Sequence, residues 1–140
     1  MIILDTNVVS EPMRPDRNGR VLAWLDAQEP ETLYLTAVNL AELLVGVEVL
    51  PKGKRRDGLE AGLIDLISGL FGPRILPFDG EAAKVYAPLI GRARAAGRTI
   101  GLADGQIAAI AAANGFAVAT RDTSPFKAAG VAVINPWDPA

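Results

Sequence analysis

Four acidic residues stand where a parallel α/β fold would bring side chains to one edge of its sheet. Asp5 directly follows a short apolar run at the N-terminus, and Asp122 closely follows a second apolar run. Glu42 lies about one and a half turns into a predicted helix, and Asp104 lies at the start of another. Ligands of open α/β sheets bind beyond the carboxyl ends of the strands. The four carboxylates can therefore converge if the strands that precede Asp5 and Asp122 are neighbours.

Such a group of carboxylates indicates a particular chemistry. Neighbouring carboxylates repel one another and raise each other's pKa. A divalent cation removes this cost and gives a reason for the acids to be gathered. With Mg²⁺ bound, the natural reaction is phosphoryl transfer, because the ion lowers the pKa of a water molecule and offsets charge on the phosphate and on the leaving oxygen. The four acids together therefore predict metal-dependent chemistry at a phosphate.

Taken singly, three of these acids have ordinary structural explanations. Asp5 can cap a helix that follows it, Asp104 can interact favourably with a helix dipole, and Asp122 is a common turn residue. Glu42 is different, because its sequence neighbours are the apolar residues of a helix. A charged group close to a core is rare unless it is paired or bound to a metal. The functional interpretation therefore depends on the four residues as a set.

The absence of histidine and cysteine restricts the chemistry further. The chain contains 0 residues of either type, which excludes disulfides, zinc sites built from Cys and His, Ser-His-Asp triads and imidazole bases. Ligands that are all oxygen favour a hard ion such as Mg²⁺ or Mn²⁺. The net charge of −2 gives no global attraction to nucleic acid, so phosphates would have to be bound by local basic patches.

The chain is predicted to form one domain over residues 1–140, since 140 residues are enough for a single core. No apolar run approaches the roughly 18 residues of a membrane-spanning helix. The N-terminus lacks the basic and long apolar regions of a secretory signal. We therefore expect a soluble protein of the cytoplasm.

Strands and helices are predicted to alternate along the chain. Apolar runs predict strands at 2–4, 32–36, 74–78, 116–120 and 131–135. Helical periodicity predicts helices at 18–28, 37–50, 59–72, 79–98 and 102–115, with a short helical piece after residue 122. Thr36 and Asp79 are predicted helix caps, Pro88 a bend, and 51–58 a polar break. This alternation is typical of an α/β fold with a parallel sheet and helices on both faces.

Four stretches carry a resemblance to a known family. They are "ILDTNVVSE", "TAVNLAELLVGV", "GLADGQIAAIAAANGFAVATRDTSPF" and "INPW". In this order they resemble the PIN-domain ribonucleases, specifically the VapC-type toxins of bacterial toxin–antitoxin pairs and, among those, the FitB-like branch. The resemblance covers essentially the whole chain. It implies a three-layer α/β/α sandwich around a central parallel sheet.

The resemblance also implies roles for individual residues. The metal pocket for Mg²⁺ or Mn²⁺ would consist of Asp5, Glu42, Asp104 and Asp122. Asp5 and Asp104 would be the most direct ligands, and the other two acids would complete the site directly or through water. Thr120 would orient an acid or a water, and Asn7 would brace the first acid.

The resemblance further implies partners. Members of the family would cleave single-stranded or looped RNA by attack of a metal-activated water. They would pair as homodimers and be inhibited by a small DNA-binding antitoxin, with which they could form a larger assembly. Arg14 and Arg121 are the predicted phosphate contacts, because each closely follows a segment that carries an acid. The remaining basic residues, including Lys52 to Arg56 and Arg98, are assigned to the solvated surface.

Three other classes of protein also have acidic pockets of this kind. A binding protein whose acidic pocket captures an arginine of a DNA-binding partner is compatible with the nuclease interpretation. A phosphatase of the haloacid dehalogenase type usually needs a second aspartate two residues after the first, where this chain has Asn7. A response-regulator receiver needs an acceptor aspartate after its third strand, where Asp79 is a predicted helix cap.

Overall fold

A computed structural model describes residues 1–139. Its centre is a sheet of five parallel strands. The strands are β1 (Ile2–Leu4), β2 (Leu33–Thr36), β3 (Ile75–Leu76), β4 (Ala117–Ala119) and β5 (Val133–Ile134). Their order across the sheet is β3-β2-β1-β4-β5. The first strand of the chain is thus the central one.

The register places the ends of β1, β2 and β4 at the same edge. Ile3 pairs with Tyr34 of β2 and with Val118 of β4. The backbone N–H of Asp5 donates to the carbonyl of Ala119 at 2.9 Å, which extends the pairing of β1 and β4 by one residue. The neighbouring first and fourth strands, on which the sequence argument depended, are therefore present.

Within residues 1–139, seven α-helices surround the sheet. They are α1 (Thr6–Ser10), α2 (Gly19–Asp26), α3 (Ala37–Glu48), α4 (Lys54–Leu66), α5 (Gly80–Ala95), α6 (Leu102–Asn114) and α7 (Ser124–Ala128). Short 3₁₀ turns occupy Glu11–Met13 and Pro30–Thr32, and a π-helical turn, Ile67–Phe71, continues α4. None of the helices in residues 1–139 is both long and apolar enough to cross a membrane.

The helices form a layer on each face of the sheet because successive residues of a strand point to opposite faces. Ile3 is fully buried in a core built with residues of α5, α6 and α7. The next residue, Leu4, is 1% exposed in a second core built with residues of α1, α3 and α4. These two cores confirm the predicted three-layer α/β/α arrangement with a central parallel sheet.

Most predicted elements are present, and their caps explain where they begin. The Thr36 hydroxyl accepts from the backbone N–H of Asn39 at 3.0 Å, and the Asp79 carboxylate accepts from that of Ala82 at 2.9 Å. Gly115 ends α6 with a φ of 70°, a conformation that glycine adopts without strain. Helix α5 continues through Pro88 without interruption.

One predicted boundary was wrong. Residues 51–58 are not a polar break throughout, since α4 begins at Lys54. Its first turns contain basic residues of good helix propensity, which an apolar periodicity cannot detect. Helix α1 begins directly after Asp5, which caps it as the sequence allowed. The segment is short and carries two buried valines, so tertiary packing stabilises it.

Helices α5 and α6 approach each other closely at Gly105. A Cβ atom at this position would lie 2.9 Å from Cε2 of Tyr86 and 3.0 Å from Cδ1 of Ile90. Both distances are shorter than ordinary van der Waals contact, so a side chain here would push the helices apart. Because Gly105 directly follows Asp104, this contact also determines where α6 places that acid.

We expect Gly105→Ala to lower the free energy of unfolding by about 1 to 3 kcal/mol, because overpacking outweighs the gain in helix propensity. The matched control is Gly91→Ala in α5, where a Cβ meets no atom within 4 Å. This variant should be more stable than wild type by up to about 1 kcal/mol. Urea denaturation followed by circular dichroism measures both. A Gly105→Ala protein as stable as the Gly91→Ala protein would contradict the close packing.

Candidate active site

Asp5 is the best-anchored side chain at the carboxyl edge of the sheet. It is only 6% exposed. Its Oδ1 accepts from the backbone N–H of Thr6 at 2.8 Å and from Nδ2 of Asn39 at 3.0 Å, and its Oδ2 accepts from the Thr120 hydroxyl at 2.8 Å. Three donors from three parts of the chain therefore offset the cost of burying this carboxylate. Asp5 is also the N-cap residue of α1, so its structural role and its place in the site coincide.

Asn39 connects Asp5 to the start of α3. This residue is fully buried. The Thr36 hydroxyl donates to its Oδ1 at 2.6 Å, which leaves the amide NH₂ group facing Asp5. Sequence reasoning missed Asn39, because its role depends on a contact with Asp5, 34 residues away in the chain.

Thr120 connects Asp5 to the loop after β4. Its buried hydroxyl donates to Asp5 and accepts from the backbone N–H of Asp122 at 3.0 Å and from Nδ2 of Asn7 at 3.4 Å. Oδ1 of Asn7 accepts from the backbone N–H of Arg121 at 3.2 Å. Asn7 thus contacts the first acid through Thr120, and it holds the loop that carries Asp122.

The other acids lie within electrostatic range of this centre. Burial raises the pKa of Glu42, and the charges of Asp5 and Asp104 raise it further, while a hydrogen bond from the Thr6 hydroxyl lowers it. Burial also raises the pKa of Asp104, with added repulsion from Asp5 and Asp122. The structure therefore brings the four acids into one electrostatic neighbourhood.

Their side chains differ in exposure. Asp104 is half-buried in the first turn of α6, whereas Asp122 and Glu42 are exposed. The sequence argument that placed Glu42 close to the core does not hold, because α3 turns the adjacent Leu43 inward and leaves Glu42 at the surface. Glu42 lies near Asp5 because it follows Asn39, which donates to Asp5, by one turn of α3.

The chemistry of these donors fits a hard divalent cation. All four side chains offer carboxylate oxygens, the ligands that Mg²⁺ and Mn²⁺ prefer. Their mutual repulsion is the cost that a cation would remove. Within residues 1–139, however, no three acidic side chains already form a group positioned to hold a metal ion. The site has the composition and charge for a cation, and Mg²⁺ commonly binds through only one or two carboxylates together with several waters.

Two cavities adjoin the acids. A groove of about 630 Å³ runs between α1, α3 and α4, with Thr6 and Glu42 among its lining residues. Its apolar wall consists of Met13, Leu43, Val47, Leu50, Leu59 and Leu63. A second cavity of about 560 Å³ is lined by Asp104 and Asp122 together with residues that precede α6 and begin α7. The acids therefore lie between an apolar groove and a polar cavity.

The two arginines predicted to bind phosphate both contact other side chains. Arg14 lines the apolar groove, and its guanidinium lies 3.3 Å from the carboxylate of Asp16. Such an exposed ion pair contributes about 0 to 1 kcal/mol, so RNA could displace it. The guanidinium carbon of Arg121 lies 5.3 Å from the ring centre of Trp137.

Comparison with known proteins shows which family the chain belongs to. Residues 2–131 match the family model described as PIN domain. The chain is 52% identical over 144 residues to VapC ribonuclease Y4jK of Sinorhizobium fredii, with 100% of each chain covered. It is 51% identical over 137 residues to Toxin FitB of Neisseria gonorrhoeae, covering 98% of this chain and 99% of the relative.

A solved structure of FitAB bound to a DNA fragment matches with a TM-score of 0.96 and 48% identity, over 100% of this chain and 98% of the other. The predicted resemblance is thus confirmed over almost the entire length. With a family model that spans most of the chain and relatives that share half of its residues, this protein belongs to the PIN-domain family, in the group that contains the VapC and FitB proteins.

Proposed function

We propose that this protein is an endoribonuclease dependent on Mg²⁺ or Mn²⁺ and that it acts in the cytoplasm as the toxin of a toxin–antitoxin pair. The observation that carries the proposal is the anchored carboxylate of Asp5, held by three donors at the centre of a neighbourhood of repelling acids. The names of the relatives, a VapC ribonuclease and a toxin, support the same activity.

Some of the residues would bind the cation, and others would hold the carboxylates that bind it. Asp5 and Asp104 are the proposed direct ligands, and Glu42 and Asp122 complete the site. A bound Mg²⁺ or Mn²⁺ supplies a water of lowered pKa and offsets negative charge on the phosphodiester. Asn39 and Thr120 keep the Asp5 carboxylate from rotating, as groups that bond to metal ligands commonly do.

The apolar groove favours binding of a protein partner, which would be a second function of the same region. We infer that a segment of a DNA-binding antitoxin lies in this groove and places a basic side chain among the acids. The groove is largely apolar along its length and reaches Glu42 at one end. A basic side chain there would relieve the same repulsion as a cation, so inhibition and metal binding would compete.

Exposed apolar side chains on and after α3 support self-association. Leu44, Val45 and Val49 are 45%, 59% and 73% exposed. Side chains of this size and exposure are common at protein interfaces. A homodimer that covers them is the proposed state of the free protein.

Asp5→Asn should reduce Mg²⁺-dependent cleavage of a mixed single-stranded RNA pool by more than about 100-fold, because loss of a direct ligand should exceed the 10- to 100-fold typical of residues that only orient ligands. Asp104→Asn should behave in the same way. The control is Asp79→Asn, which removes a carboxylate outside the site and keeps a side chain able to cap α5. If Asp5→Asn cleaves as fast as Asp79→Asn in equally pure preparations, the proposed site is wrong.

Glu42→Gln should raise the thermal midpoint of the metal-free protein at about pH 7. The raised pKa of Glu42 means that the folded state binds this proton more tightly than the unfolded state, so ionised Glu42 lowers stability above its folded pKa. The gain should be roughly 1 to 4 °C, since the group is largely exposed and screened. It should shrink as the pH falls through the folded pKa towards the unfolded value.

Differential scanning fluorimetry in EDTA across pH gives this comparison, with Glu60→Gln on the exposed surface of α4 as the control. Added Mg²⁺ at neutral pH should stabilise wild type more than Glu42→Gln. A pH-independent difference between Glu42→Gln and wild type would show that repulsion among the acids is not the cause.

Gly46→Gln should weaken binding of the proposed antitoxin by about tenfold or more, because its side chain would project into the groove. A Cβ at Gly46 meets no atom within 4 Å, so the fold should persist. Gly62→Gln in α4 is the matched control, since Gly62 is exposed, equally unobstructed and outside the groove. Titration calorimetry measures both, and equal affinities would place the partner elsewhere.

A further inference from the structure

The polar cavity beside α7 combines acids with groups that bind phosphate and sugar. Its lining residues are Arg98, Thr99, Gly101, Asp104, Asp122, Ser124, Pro125 and Ala128. Asp104 and Asp122 belong to the proposed metal site, whereas Arg98, Thr99 and Ser124 have no part in it. The cavity of about 560 Å³ falls within the size range of sites for small ligands.

Arg98 has no competing partner among residues 1–139. It forms no ion pair and no side-chain hydrogen bond there, although it lines the same cavity as Asp104 and Asp122. The hydroxyls of Thr99 and Ser124 likewise make no hydrogen bond within that part of the chain. Arg14 and Arg121 differ, because one is paired with a carboxylate and the other lies over an indole ring.

The backbone that carries Arg98 is nevertheless well defined. Gly97 has a φ of 75°, which turns the chain back at the end of α5. The backbone N–H of Arg98 then donates to the carbonyl of Ala93 at 2.8 Å. The connection to α6 thus begins at a hydrogen-bonded turn, which holds the backbone of Arg98 beside the cavity.

These groups match one nucleotide of a single-stranded nucleic acid. A guanidinium binds a phosphate through two parallel hydrogen bonds, a geometry that an ammonium group cannot reproduce. Hydroxyl side chains bond readily to ribose and to base edges. The charge of Arg98 would also offset the repulsion between the acids of the site and an approaching phosphate.

We propose that Arg98 binds the RNA phosphate next to the one that is cleaved, with the nucleotide joined to it lying in the cavity. This inference rests on the ribonuclease function proposed above. It assigns to Arg98 the phosphate contact that the sequence suggested for Arg14 and Arg121, and it makes Thr99 and Ser124 contacts of the adjacent sugar or base.

The first test is RNA binding in EDTA, where cleavage does not interfere. Arg98→Ala should weaken binding of a fluorescein-labelled single-stranded RNA about tenfold, and the slope of log affinity against log salt should become shallower by about 0.7, the value for one phosphate contact. Arg98→Lys should keep the slope and recover part of the affinity. Arg94→Ala, which removes an exposed arginine of α5 outside the cavity, should match wild type.

The second test locates the phosphate. Once the cleavage site is mapped, RNA substrates carrying a single uncharged methylphosphonate at each neighbouring position are cut with Mg²⁺ by wild type and Arg98→Ala. Arg98→Ala should lower kcat/KM for most of these substrates. It should have no effect when the methylphosphonate stands at one position adjacent to the cleaved bond, since the substitution and the uncharged phosphate then remove the same contact.

The outcomes separate this inference from the function on which it rests. If wild type cleaves RNA but Arg98→Ala has the affinity and salt slope of Arg94→Ala, the inference is overturned and the nuclease assignment stands. The inference also fails if the loss of kcat/KM persists with every substituted phosphate. If wild type cleaves no RNA with Mg²⁺ or Mn²⁺, the proposed function fails and the inference with it.

Discussion

The structure of this site depends on the hydrogen bonds that offset the cost of burying one carboxylate. Asp5 receives hydrogen bonds from the backbone after β1, from the first turn of α3 and from the residue that follows β4. Each donor is itself positioned by the fold: Asn39 by its bond with the α3 cap, and Thr120 by the end of a strand paired with β1. A buried charge that lost one of these donors would be costly. The same bonds therefore hold the central strand to its neighbours and fix the direction in which the carboxylate presents its oxygens.

The remaining acids are less constrained, and this difference has a functional meaning. Glu42 and Asp122 are exposed, and partial burial together with repulsion raises the pKa of Glu42 and Asp104. On the proposed function, one anchored acid among more exposed ones would accept a cation of either kind, a metal ion or a basic side chain. The apolar groove reaches the acids through Glu42, and the polar cavity reaches them through Asp104 and Asp122. On the proposed function, a protein partner and an RNA substrate would thus approach the same charge from different cavities.

Much of this arrangement could be predicted from the sequence, because it follows from local rules. Strand-forming runs, the caps Thr36 and Asp79 and the glycine after α6 are visible in short windows. What could not be predicted depends on contacts between distant segments. Asn39 looks like an ordinary helix residue until α3 is placed against β1, and the burial of a side chain at position 42 or 43 depends on the rotation of that helix. The start of α4 was missed because its first turns carry few apolar residues, so no hydrophobic periodicity marks them.

The arginines show how the fold decides which long basic side chains have internal contacts. Arg14 and Arg121 each follow an acid-bearing segment, but a long side chain contacts whatever is within reach, and here those contacts are Asp16 and the ring of Trp137. Arg98 stands six residues before Asp104 and follows the end of α5, a helix on the other side of the sheet from Glu42. The turn at Gly97 brings it to the cavity that Asp104 and Asp122 line. A cation without an internal partner is the one most readily available to a ligand, and that property appears only when the whole chain is in place.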